Sequence, residues 1–378
     1  MAPAAGRTLQ RSKFTGKPYL VRTYFKGAVN DRAYMETMIN AAIVGLGWWG
    51  KTVVESVQGS SDSIRFVAGA TRTVTPEVKA FAESQKFNLA ENFDALLADP
   101  KINAVVLATP HSQHSAQVIA AARAGKHVFC EKPFALTKNE AEAAANATRQ
   151  AGVTLGLGYN RRFHPEMRKL REKIRSGDLG TVLHIEATMT FPNALALQPT
   201  AWRAHREETP CGGLTPMGVH AIDGMIDLCG PIDHVYCQSF RRVVAVDSDD
   251  TTSILFRMKE GPSGYLGTMT ATGPGFSFQV FGSKGWVRLE GMTHVAGASS
   301  EERRTRLFGA CRFQPTKGPA EQWQAETLDV TRASLEAFAK AAEGGPAYPI
   351  PIEEMIHGAA VTEAVVRSAA SGKSENVL

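Results

Sequence analysis

The sequence predicts an α/β protein: an N-terminal doubly wound parallel sheet, then a C-terminal α+β domain built on a large, mostly antiparallel sheet. Three observations predict it. Between residues 39 and 157 short apolar runs alternate with helical patterns; a glycine-rich loop stands between the first run and the first helix; after about residue 160 most runs are strand-like and parted by Gly or Pro turns. At roughly 150 residues per domain, a chain of 378 residues has length for two. The expected division is a basic leader at 1–37, a first domain at 38–158 and a second domain at 159–378.

Taken in order, 39–44 is a strand, 50–57 begins a helix, 64–71 is a strand, and 76–86 is a helix with Pro76 in its first turn. A short helix follows at 93–97. The run 104–108 (AVVLA) is continuously apolar, as strands buried on both faces are. An Ala-rich helix at 115–124 stops at Gly125, and 127–130, 138–150 and 153–157 continue as strand, helix and strand. Beyond the helix at 165–174, strands are expected at 182–190, 233–244, 251–258, 264–270, 276–281 and 286–290, interrupted by one helix near 219–228. Helices at 335–342 and 352–370 close the chain, the last expected to pack back on the first domain.

Composition excludes several classes. Hydrophobic residues make up 43% and charged residues 21%, as in globular proteins, and no stretch approaches the roughly 18 apolar residues a membrane span needs. Of 42 basic and 37 acidic residues, seven and two lie in residues 1–37, so the remainder balances and offers no excess for a nucleic acid or an anionic membrane. Five cysteines form an odd set without Cys-x-x-Cys spacing, which suits reduced thiols and a cytoplasmic protein. The leader lacks the apolar stretch of a secretory signal. It is acid-poor and Arg-rich like a transit peptide but has no amphipathic period, so a flexible extension, or a start at Met38, is the expectation.

Gly45-Leu46-Gly47-Trp48-Trp49-Gly50 fits G-x-G-x-x-G between strand and helix. There the first glycine permits the turn, the second admits a pyrophosphate, the third allows close helix packing, and the anion sits on the helix N-terminus. Trp48 and Trp49 are expected beside this loop. An NAD site usually carries an acid at the end of the second strand to accept from the ribose hydroxyl, whereas this chain has Ala70-Thr71-Arg72. With no acid to repel a 2′-phosphate and a hydroxyl and guanidinium to hold one, NADP(H) is preferred over NAD(H).

Ala108-Thr109-Pro110-His111-Ser112-Gln113-His114 and Ala124-Gly125-Lys126-His127-Val128-Phe129-Cys130-Glu131-Lys132-Pro133, with the glycine loop, resemble the Gfo/Idh/MocA family of NAD(P)-dependent oxidoreductases. The likeness extends through Gly158-Tyr159-Asn160-Arg161-Arg162-Phe163-His164-Pro165, Trp202-Arg203 and Gly212-Gly213 to His220 and Asp223. It implies a Rossmann domain, hydride transfer between a nicotinamide and a hydroxylated substrate, a cis Lys132-Pro133 bond, and a dimer or tetramer joined through the second-domain sheet.

Lys132 lies just past a strand at the carboxyl edge where open α/β sheets bind ligands. Alcohol oxidation needs a group to take the hydroxyl proton, and a lysine whose pKa is pulled toward neutrality can serve. His220 is expected to touch the reacting oxygen, as the resemblance implies. The family often has Asp-x-x-x-His here; this chain has Pro216-Met217-Gly218-Val219-His220, so the acid is missing. Asp223 is a candidate to orient the imidazole, and Arg162, Trp202 and Arg203 to hold substrate hydroxyls or a carboxylate. Thr109, Pro110, His111, His114 and Glu131 are expected near the cofactor; Arg161 and His164 are expected to brace the domain junction. No cluster has metal-ligand spacing, so no metal is expected.

The leading expectation is a dehydrogenase or reductase acting with NADP(H) on a carbinol or carbonyl of a sugar, polyol or related small molecule. A non-catalytic NADP(H) sensor on the same fold is the alternative, motivated by Pro216. Glycoside cleavage with tightly held NAD fits Thr71-Arg72 less well.

Overall fold

The computed structural model describes residues 38–292 and 297–378; the leader expected at 1–37 lies outside them. In the first half β1 (Ile39–Val44), α1 (Trp48–Val57), β2 (Ile64–Ala70), α2 (Pro76–Ser84), β3 (Asn88–Leu89), α3 (Phe93–Ala98), β4 (Ala104–Leu107), α4 (His114–Arg123), β5 (His127–Cys130), α5 (Lys138–Ala151) and β6 (Leu155–Leu157) alternate along the chain. The strands form one parallel sheet in the order β3-β2-β1-β4-β5-β6. Every residue of β4 is buried, the consequence of helices covering both faces. Strand order reverses direction between β1 and β4, and open sheets of this kind bind ligands at that crevice. Helices start where the sequence supplies caps: Thr75 accepts from the Val78 N–H before α2, and Thr137 and Glu140 form a reciprocal capping box on α5.

The second half contains α6 (Pro165–Arg175), β7 (Val182–Thr190), α7 (Val219–Cys229), β8 (Ile232–Phe240), β9 (Thr251–Met258), β10 (Ser263–Met269), β11 (Gly275–Gly282), β12 (Gly285–Gly291), α8 (Ser300–Thr305), β13 (Ala310–Pro315), β14 (Glu321–Gln324), α9 (Val330–Ala342), α10 (Ile352–Ser371) and β15 (Glu375–Asn376). Nine strands form one sheet, ordered β14-β13-β12-β11-β7-β10-β9-β8-β15 and antiparallel except for β10 on β7. Period-two burial in β9, with Thr252, Ile254, Phe256 and Met258 turned inward, shows one face packed and the other open. No helix among the described residues is long and apolar enough to cross a membrane, and all five cysteines are free thiols.

Several boundaries differ from the sequence expectation, each for a local reason. The strand expected at 233–244 stops at Phe240 because Asp250 accepts from the N–H groups of Arg242, Val243 and Val244 and turns the chain away from the sheet. The short edge strands β3, β14 and β15, and β13 beside β14, are not among the expected strands, and tertiary pairing makes them strands.

Two large apolar cores result among the described residues, beside a small cluster of Ala204, Val244 and Val246. One fills both faces of the parallel sheet and also takes in Leu335, Phe338 and Met355 from α9 and α10; the other lies between the nine-stranded sheet, α6, α7 and the later part of α10. The last helix therefore belongs to both. Polar ties repeat this join: Arg162, just past β6, donates from Nε to both Asp223 carboxylate oxygens at 2.9 Å and from Nη2 to Oδ1 at 2.7 Å, and its Nη1 lies 2.5 Å from Glu354 of α10. Burial works against the Arg162 charge, but Asp223, Asp227 and Glu354 outweigh it and hold its proton affinity above that of a free guanidinium.

Removing one member of a buried ion pair leaves the other charge uncompensated, at a cost of about 3–5 kcal/mol, whereas exposed pairs contribute about 0–1 kcal/mol. Arg162→Ala is therefore expected to lower the stability of the described body by about 3–5 kcal/mol in urea unfolding. Arg149→Ala, which breaks the exposed Arg149–Glu353 pair, is expected to change it by less than about 1 kcal/mol. Equal losses in the two variants would contradict this division.

Candidate active site

The loops that follow β1, β4, β5 and β6 converge at the carboxyl edge of the parallel sheet and face residues of the second half across a cavity of about 1110 Å³. That is slightly above the range of roughly 300–1,000 Å³ usual for small-molecule sites. From the first half Trp48, Trp49, Thr109, Glu131, Lys132 and Arg161 line it; from the second, Arg203, Pro216 and His220.

At the β1 end the glycines divide their tasks. Gly45 has φ +97°, and a Cβ there would stand 2.5 Å from the Ala108 carbonyl oxygen. A Cβ on Gly50 would fall 1.9 Å from the Gly45 oxygen, so both glycines are required by the fold itself. Gly47 differs: a Cβ there would meet nothing within 4 Å. It also caps α1 with no side chain, and no acid occupies the first helical turn. The concavity and the helix N-terminus behind it fit the pyrophosphate of a dinucleotide. Trp48 and Trp49 pack edge to face beside this loop, ring centroids 5.4 Å apart, and Arg303 of α8 stands over Trp48. The Gly45 N–H donates to the Ala70 oxygen at 2.8 Å, which sets Thr71 and the exposed Arg72 next to the glycine loop.

The β5 end carries the titratable groups. Glu131 is buried, and its carboxylate reaches its place because Gly158 has no side chain; a Cβ there would lie 2.7 Å from Glu131 Oε2. Burial raises the Glu131 pKa, with the Lys132 ammonium and the Trp49 indole opposing. The Lys132-Pro133 bond is cis. Lys132 Nζ donates to the main-chain oxygen of Pro216 at 2.6 Å. Burial pulls the Lys132 pKa down to about 8; Glu131 works against this, and Arg203 and Arg161 add to it.

Pro216 sits in a widened turn (Leu214–Gly218) in which the Gly218 N–H donates to the Gly213 oxygen five residues back. That turn opens directly into α7 and sets His220 in the cavity wall, its ring edge-on to Tyr159 at 6.2 Å. His114 is fully buried, with Nδ1 2.7 Å from the Pro133 oxygen and Nε2 3.1 Å from the Thr109 oxygen. Burial lowers its pKa, against the two carbonyl contacts, which raise it. His111, held well below its usual pKa by burial and then by His114 and Lys132, bonds through Nδ1 to the Glu208 oxygen at 2.7 Å.

The structure thus brings Lys132, His220, Glu131, Trp48, Trp49, Thr109, His111, His114 and Arg203 to one cavity. Pro110 precedes the His111 turn, while Thr71 and Arg72 lie beyond the cavity wall. Arg162 and Asp223 are committed to each other, away from that wall. Trp202 packs edge-on against His111 at 4.9 Å and carries the Arg203 guanidinium 4.0 Å from its ring centroid. Sequence reasoning passed over Asn160, Arg161 as a lining residue, and the Glu208 clasp on His111 and Ser112. In Arg161-Arg162 two identical side chains adjoin, and only the packed turn decides which one faces the cavity. Among the described residues no cluster of His, Cys, Asp or Glu could hold a metal ion.

Residues 39–159 match the model of an oxidoreductase family with an NAD-binding Rossmann fold (Gfo/Idh/MocA), and residues 167–288 match that family's C-terminal domain. The chain is 27% identical over 280 residues to myo-inositol 2-dehydrogenase of Thermotoga maritima, 70% of this chain and 79% of the relative. It is 29% identical over 314 residues to rhizopine catabolism protein MocA of Rhizobium meliloti, 79% of this chain and 89% of the relative. The structure of an aldose-aldose oxidoreductase from Caulobacter crescentus, complexed with glycerol, superposes with TM-score 0.77 at 24% identity, covering 90% of this chain and all of that one. The chain belongs to the Gfo/Idh/MocA oxidoreductase family.

Because Gly47 faces open space while Gly50 does not, the two are separable by substitution. Gly47→Val is expected to keep the stability of the free protein within about 1 kcal/mol and to weaken dinucleotide binding at least about tenfold. Gly50→Val is expected to unfold at a markedly lower temperature. Calorimetric titration with the dinucleotide and thermal unfolding of the two variants check this.

Proposed function

We propose that this member of the family is a dehydrogenase or reductase that works with NADP(H) on a carbinol or carbonyl of a polyhydroxylated small molecule. The dinucleotide supplies the hydride acceptor or donor. The glycine loop and the N-terminus of α1 would hold its pyrophosphate, and Thr71 with Arg72 would meet a 2′-phosphate, since the end of β2 carries no carboxylate to repel one. The names of the inositol and aldose relatives support a sugar or polyol substrate.

The Lys132 amine carries the reading. A lysine with its pKa lowered to about 8 at the wall of the cavity can accept the proton of a substrate hydroxyl during oxidation and return it during reduction. Pro216, standing where the family often has an acid, still contributes an acceptor through its main-chain oxygen. An uncharged carbonyl orients the amine without adding the negative charge that would raise its proton affinity, so the missing carboxylate is compatible with proton transfer. His220, across the cavity, is assigned to bind and polarise the reacting oxygen. Domains divided near residue 158, and a homo-oligomer joined through the open face of the second sheet where Phe240 and Leu255 are exposed, complete the proposal.

For oxidation, kcat/KM is expected to rise with pH through about 8, because only neutral Lys132 accepts a proton; for reduction it is expected to fall through the same range. Lys132→Ala is expected to remove that limb and to lower kcat by about 10²- to 10⁴-fold, with NADPH affinity changing less than about threefold. PH–rate profiles and fluorescence titration with NADPH measure both, and equal losses in kcat and affinity would refute the role. A protein that binds NADPH yet turns over no sugar, polyol or dihydrodiol would instead be a sensor. Arg72→Ala is expected to weaken NADPH at least about tenfold while leaving NADH within about twofold; parallel changes for both would defeat the preference.

A further inference from the structure

The charges lining the cavity do not balance around Lys132. Arg161, only 7% exposed, lies with its guanidinium 4.5 Å from the Phe276 ring centroid. Its Nη1 is buried without a hydrogen-bond partner, and no carboxylate among the described residues pairs with it. Arg203, half-buried, rests on the face of Trp202 and likewise has no carboxylate partner there. Burial lowers the proton affinity of both, to about 9 for Arg161 and about 10 for Arg203, and the positive charge of each depresses that of Lys132. Both line the cavity that holds the amine.

The carboxylates of the cavity are already engaged. Glu131 adjoins Lys132, Glu290 pairs with Arg288 at 2.7 Å, and Glu302 pairs with Arg306 at 3.2 Å. Leaving a guanidinium buried and unpaired is costly, and such groups normally find a counter-ion. Phe276 and Trp202 cover a face of each guanidinium, no carboxylate among the described residues pairs with either, and both side chains line the cavity, where an oxyanion can meet them. The pyrophosphate cradle at Gly47 lies at the β1 end, whereas Arg161 follows β6, beyond the strand that presents Lys132.

We infer that Arg161 and Arg203 form an oxyanion subsite, so that the substrate is an acidic polyhydroxylated molecule, a sugar acid or a sugar phosphate, whose anionic group is clamped while its carbinol faces Lys132. The inference rests on the oxidoreductase reading for the carbinol but not for the anion. The subsite would draw the substrate out of water by charge and fix which hydroxyl reaches the amine.

Calorimetric titration of the NADPH-loaded protein with gluconate, glucuronate, glucose 6-phosphate, glucose and myo-inositol tests it, with NAD(P)H turnover followed on the same compounds. At least one acid is expected to bind about tenfold or more tightly than the neutral compounds, and the preference is expected to shrink with added salt. Gluconate or glucuronate as the tight ligand assigns a carboxylate, and glucose 6-phosphate a phosphate. Arg161→Gln and Arg203→Gln are each expected to weaken the acid about tenfold or more, neutral compounds less than about threefold, and NADPH less than about threefold. Arg203, being less buried, keeps the test open if the Arg161 variant fails to fold. Neutral sugars that bind and turn over as well as the acids would overturn the inference and leave the oxidoreductase reading standing. A tenfold loss of NADPH affinity, with acid binding unchanged, would assign the guanidiniums to the cofactor and also overturn it. Acid binding that depends on both arginines without turnover of any compound would uphold the subsite and defeat the oxidoreductase reading.

Discussion

One constraint organises this protein: an ammonium group drawn from the carboxyl edge of the parallel sheet is held, largely out of water, by a carbonyl of the other half of the molecule. The Lys132–Pro216 contact spans the cavity, so its geometry exists only when β5 and the turn before α7 are both in place. Desolvation brings the lysine toward neutrality, and the choice of an uncharged acceptor preserves that effect. A carboxylate in the same position would have strengthened the contact and raised the proton affinity together.

The surroundings of Lys132 serve the same constraint. His114, fully buried, ties the Pro133 carbonyl to the loop after β4, and Gly158 leaves room for the Glu131 carboxylate. Arg162 bonds to Asp223 on α7 and to Glu354 on α10, fixing the helix that bears His220 against the end of β6. The two apolar cores meet along α10, which buries its early residues in one and its later residues in the other. Positions of Lys132 and His220 therefore depend on buried polar ties whose partners lie far apart in sequence, between cores that supply most of the burial.

Adjacent arginines illustrate the limit of reading side chains from a motif. Arg161 and Arg162 share charge, size and context, yet Arg162 is saturated by carboxylates and Arg161 lines the cavity with no carboxylate partner among the described residues. The switch follows from a short 3-10 turn at Asn160–Phe163, where successive side chains point in widely different directions. Trp202 and Arg203 divide in a similar way, the ring serving as a platform and the guanidinium facing the cavity.

The sequence by itself determined the parallel sheet, most element bounds, the glycine loop and the place of Lys132 at a strand end, because these depend on local quantities: apolar period, caps and glycine spacing. Gly45 and Gly50 belong to that class, since the contact that forbids their side chains arises within the first strand-turn-helix unit and the neighbouring strand. Tertiary structure alone decided that the Pro216 oxygen meets the Lys132 amine, that Arg162 is spent on Asp223, and that Arg161 lines the cavity with no counter-ion among the described residues. Those facts depend on which distant segments share a cavity and which charges lose water together, and neither is a property of any window of sequence.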